Sequence, residues 1–160
     1  MSDLLDQLGS DTLPSSVVNS FLRWCMLEQA RTALVTVLDT FGLRDLAVRV
    51  EATDKAPELL TLATQIHQQV QALGAKSSTG PLGFSAAKAA TYEFENMMRA
   101  ANEKPADAEA VAFFAARICG WAGWAGAGFG ETQSKSEAEL DARQTQESKL
   151  QSLWQQSSPT

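Results

Sequence analysis

From Pro14 to Phe129 apolar residues recur every three or four positions, with no stretch of the apolar–polar alternation that marks a strand. Residues 1–12 hold only Leu4, Leu5 and Leu8 as anchors and read as a short helix or loose arm. After Pro14, Val17, Phe21, Trp24, Leu27, Leu34, Val37, Leu38 and Phe41 predict one long helix. Ser15 or Ser16 is placed to cap it, and Gly42 to end it. This helix is expected to be the central one. A short helix near 43–52 carries Leu43, Leu46, Ala47 and Val50. Asp54 then reads as the cap of a helix with Pro57 in its first turn and Leu59, Leu62, Ala63, Ile66, Val70 and Leu73 on its inner stripe.

Residues 74–84 contain three glycines and a proline and read as a loop. A helix capped by Ser85 is predicted to run to Asn102, with Ala89, Tyr92, Phe94 and Met97 facing inward. The next covers Ala106 to Phe129, with Val111, Phe114, Ala115, Ile118, Ala122, Ala125 and Phe129 inside. A long polar helix over 131–156 follows, touching the rest through Leu140, Leu150, Leu153 and Trp154. Short connections between so many helices make neighbours antiparallel. The expectation is therefore an all-α antiparallel bundle of six or seven helices in one domain over 13–156, with an arm at 1–12 and a disordered tail at 157–160.

Composition agrees with that picture. The chain has 160 residues, 44% of them hydrophobic, enough for a core without disulfide or metal staples. Alanine pairs such as Ala86-Ala87, Ala89-Ala90 and Ala115-Ala116 favour helix, because alanine loses no rotamer freedom there. Net charge is -6, and the thirteen basic residues are scattered singly. Nucleic-acid binding draws on clustered Lys and Arg, so a phosphate backbone is not the expected partner. No uninterrupted apolar run reaches the ~18 residues that would suggest a membrane span. The acidic start, Met1-Ser2-Asp3-Leu4-Leu5-Asp6, does not read as a secretory signal, and a cytoplasmic location is expected. Cys25 and Cys119 lie far apart in apolar helical stretches and read as buried, reduced thiols.

Candidate chemistry is sparse. His67 is the only histidine, and Glu58 or Glu93 beside it would make a poor metal site without further His or Cys at ligand spacing. Glu93 and Glu95 are two positions apart and point to different helix faces. No Ser-His-Asp or Cys-His arrangement can be assigned, so no catalytic, cofactor or metal residue is expected and the chain is not read as an enzyme. The segment Gly120–Gly130 holds five glycines with Trp121 and Trp124. Each interior glycine costs a helix ~1 kcal/mol against alanine, which close packing of a neighbouring helix would offset. A docking groove is the alternative. Glu131, Glu137, Glu139 and Asp141 form the densest acidic run and the candidate partner-binding surface. The same carboxylates would also favour the start of a helix.

The segment Arg23-Trp24-Cys25-Met26-Leu27-Glu28-Gln29-Ala30, followed by Leu38, Phe41, Arg44-Asp45 and Val50-Glu51-Ala52, is similar to the opening of an all-helical group of bacterial polymorphic-toxin immunity proteins. The Ala-rich stretches at 86–90 and 112–127, and the Gln/Glu/Leu helix around Gln146–Trp154, resemble the rest of that group. The resemblance implies a cytosolic antidote that binds and occludes a cognate toxin, and it carries over no catalytic residue. A helical adaptor or secretion chaperone is the second reading. A cofactor protein or enzyme using the 120–130 segment is the third.

Overall fold

Pro14 sets the start of the first long helix, with neither serine acting as its cap. In the computed structural model, which describes residues 4–10, 12–74, 80–129 and 133–157, helix α1 is Ser15–Trp24 and Pro14 itself stands at the cap position without a side-chain hydrogen bond. The missing Pro N–H is one that a helix start leaves unused anyway. The chain continues through a π-helical turn, Cys25–Ala30, into α2, Arg31–Phe41. In that turn the Arg31 N–H reaches back five residues to the Met26 carbonyl. Arg31 Nε donates to the Leu27 carbonyl at 3.0 Å, while its Nη1 donates to Glu51 O, Thr53 O and Asp54 Oδ1 at 3.2, 2.9 and 2.7 Å. Asp54 is thus a partner of Arg31 and does not cap the following helix.

Gly42 ends α2 at φ 89°, a left-handed conformation that side chains resist. The Leu43 N–H then bonds Leu38 O at 2.8 Å and the Gly42 N–H bonds Asp39 O at 3.1 Å, satisfying the last carbonyls. Helix α3 is Arg44–Glu51, and α4 is Ala56–Leu73 with Pro57 in its first turn. Helix α5 is Gly80–Ala101, so residues 80–84 of the expected loop are helical; 75–79 lie outside the described residues. Ser85 is therefore inside the helix and caps nothing. Helix α6 is Ala108–Gly126, three residues shorter at its end than predicted, and Asp107 caps it by accepting from the Ala110 N–H at 3.1 Å. Helix α7 is Gln133–Ser157.

The described residues form an all-helical bundle of one domain, without a strand among them. Helix α6 packs against α5, α7, α2 and the π turn, so it shares the centre with the 15–41 segment expected to hold it alone. Phe21, Cys25, Leu34, Leu38, Leu59, Ile66, Phe94, Met97, Ile118 and Leu150 fill the core with no measurable exposure. Three side chains depart from their predicted places. Leu73, at the end of α4, is 42% exposed. Tyr92 is 54% exposed on α5, and Leu140 is 58% exposed on α7. Leu5 and Leu8 of the N-terminal segment are buried, and the Leu4 and Leu5 N–H groups donate to the Glu147 carboxylate at 3.1 and 3.2 Å. The arm is thereby bound to α7 by both core and hydrogen bonds.

Candidate functional site

The last helix meets the domain through Leu150, close-packed small residues and one buried amide. A Cβ built on Gly123 would stand 2.4 Å from Ala138 Cβ, and one on Gly120 would stand 3.1 Å from the Lys135 carbonyl. These two glycines let α7 lie close on α6. Gly126 has nothing within 4 Å of such an atom, so close packing accounts for two of the three glycines of α6. Further along, Gln146 is fully buried. Its Nε2 donates to Gln29 Oε1 at 2.7 Å and to Ala112 O at 2.8 Å, and its Oε1 accepts from Arg143 Nη1 at 3.1 Å. Gln29 Nε2 in turn donates to Ala142 O at 3.0 Å. One amide network thus joins α7, α6 and the π turn.

This packing sorts the predicted acidic residues. Glu131 lies outside the described residues. Glu139 is half-buried and points at Arg117, with Arg117 Nη1 3.9 Å from its Oε1. Glu137 and Asp141, one turn apart, are exposed on the outer face. Glu137 accepts from Gln133 Nε2 at 3.0 Å, and neither carboxylate pairs with a cation among the described residues. Neither lies in the first turn of α7, so the helix dipole, which fades within one turn, gives them little. Leu140, also exposed, lies one turn from Glu137.

A buried ionic group supports the neighbouring seam. Glu93, inside on α5, accepts from Arg117 Nε and, at 2.8 Å, from Trp121 Nε1. The hydrogen bond to Glu93 raises the Arg117 pKa further above its ordinary value. Arg117 also stacks over Phe113 at 5.6 Å and Lys135 over Trp121 at 4.6 Å. Glu93 is therefore committed to α6 and does not stand with His67, whose Nδ1 is 2.9 Å from Thr91 Oγ1. Among the described residues no three His, Cys, Asp or Glu side chains gather as a metal site. No described helix is long and apolar enough to cross a membrane.

Both thiols are free; Cys25 is buried as expected, whereas Cys119 is only partly so. Burial pushes Cys119 up from an ordinary 9.0 to about 11, and burial pushes Cys25 up further, against a small opposing pull from Arg143. A thiol reagent at neutral pH should react slowly with the native protein and rapidly with both residues after denaturation. Because the folded thiols hold their protons to higher pH than unfolded ones, their contribution to stability is complete below pH 9 and fades as pH rises toward 11. Fast labelling of either cysteine in the native state would contradict this burial. Compared with family models, with curated proteins and with solved structures, the chain has no match.

Proposed function

We propose that this chain is a binding protein that neutralises a basic bacterial toxin, covering it with the outer face of α7. The observation that carries the reading is the pair of exposed, cation-free carboxylates one turn apart, Glu137 and Asp141, with the exposed Leu140 one turn from Glu137. An apolar side chain within a charged rim is the arrangement of a recognition patch: the anchor sets residence time and the rim sets encounter rate. The net charge of -6 favours a basic partner at longer range. The resemblance of the 23–52 segment and of the Gln/Glu/Leu helix to toxin-immunity proteins supports the same reading.

The test is growth rescue. A protein encoded beside this gene that is toxic when expressed alone should be tolerated when the chain is co-expressed. Glu137→Lys with Asp141→Lys should slow association and weaken its salt dependence, and Leu140→Asp should shorten the lifetime of the complex. All three positions are exposed, so circular dichroism should stay helical. Rescue and binding kinetics unchanged in both variants would overturn the α7 surface; the absence of any toxic neighbour that the chain neutralises would overturn the function.

A further inference from the structure

The cleft between α4 and α5 is lined by His67 and Gln71 from α4 and by Ser85, Lys88, Ala89 and Tyr92 from α5. Its volume is about 460 Å³, within the range of small-ligand sites. Its informative contact is that of His67 Nδ1 with Thr91 Oγ1. Thr91 is buried, and its hydroxyl donates its single proton to the Ala87 carbonyl at 2.7 Å. So long as the hydroxyl keeps that bond it can only accept from the ring, which places the hydrogen on Nδ1. In the neutral ring Nε2 is then the lone-pair acceptor, because the bond made by one nitrogen fixes the state of the other. That nitrogen has no protein partner among the described residues.

The rest of the lining suits one kind of molecule. The Tyr92 ring, half in solvent, stands 5.8 Å from the His67 ring at 48°, and offers an aromatic wall. Lys88 brings a positive charge, and no carboxylate lines the cleft although the chain as a whole is acidic. We propose that this cleft binds a small aromatic hydroxy acid. Its ring lies against Tyr92 and Ala89, its hydroxyl donates to His67 Nε2, and its carboxylate faces Lys88. The site is separate from the α7 face and stands or falls independently of the toxin reading.

His67 is the only histidine, so its imidazole gives one unambiguous set of NMR signals. A long-range proton–nitrogen spectrum of the free protein, taken where the ring is neutral, should show the Nδ1–H form. Added para-hydroxybenzoate should shift those signals saturably, and benzoate, which lacks the hydroxyl, should bind about tenfold more weakly. Tyr92→Ala should weaken both probes alike. Thr91→Val removes the acceptor of the Nδ1–H without touching the cleft wall; it should raise the Nε2–H form and erase the preference for the hydroxylated probe. An Nε2–H ring in the wild type overturns the tautomer. No saturable shift with either probe overturns the site, and equal affinity for the two overturns the part given to Nε2.

Discussion

Gly123→Leu is expected to destabilise the domain by about 3 kcal/mol or more, the upper range for overpacking a filled contact. The Cβ alone would meet Ala138 Cβ at 2.4 Å and the Ser134 carbonyl at 3.3 Å. Neither can swing aside, since one is the first atom of a short side chain and the other is backbone. Helix α7 must therefore move away from α6 or rotate. Chemical denaturation should register a lower midpoint with little change in slope. Gly126→Ala supplies the control, because its new methyl meets open space; relief of unfolded-chain entropy should gain about 0.4–1 kcal/mol. If Gly123→Leu left stability untouched and instead abolished partner binding, the glycine would belong to a docking groove.

Gln146→Met is expected to cost about 1–3 kcal/mol, since the part-buried Gln29 amide and Arg143 guanidinium each lose a partner. Methionine has a similar unbranched shape, so the loss isolates hydrogen bonding from volume. Gln29 Oε1 would lose its donor and Arg143 its acceptor. The Ala112 carbonyl suffers less, because a helical carbonyl keeps its own N–H partner. Gln29→Met combined with Gln146→Met should cost less than the two single changes summed, as removing both sides of a buried polar pair leaves fewer orphans. Strict additivity in thermal or denaturant unfolding would show that the two amides are not coupled.

Helix existence was legible in the apolar period because each inner stripe recurs at the spacing that one face of a helix demands. Helix starts were less so. The Gly80-Pro81-Leu82-Gly83 stretch reads as a breaker, yet proline is tolerated in a first turn where its N–H has no role. Gly83 is buried beside Phe41 and Ala86, which gives a small residue its reason there. Serines at 15, 16 and 85 look like caps by composition, but Pro14 and the earlier start of α5 pre-empt them. Tyr92 reads as inward because aromatics usually bury, whereas it stands half exposed at the α4–α5 cleft, where its polar tip can stay in water. Of the candidate surface, the sequence marks Glu137, Glu139 and Asp141 as one acidic run. It cannot separate Glu139 from the others, because that depends on Arg117, 22 positions away in the chain and adjacent only after folding. The Glu93–Arg117–Trp121 group and the Gln29–Gln146 pair were hidden for the same reason.

The π turn at Cys25–Ala30 has a consequence for chain length as well as for hydrogen bonding. One residue of an α-helix corresponds to about 100° of rotation, so a turn that accommodates an extra residue resets the angular phase of all that follows. Upstream, Val17 and Phe21 face the core; downstream, Leu34, Val37, Leu38 and Phe41 do. Both sets belong to one core, and the wide turn fixes the angle at which the downstream stripe enters it. Within those six positions the number of residues is as much a part of the fold as their identity.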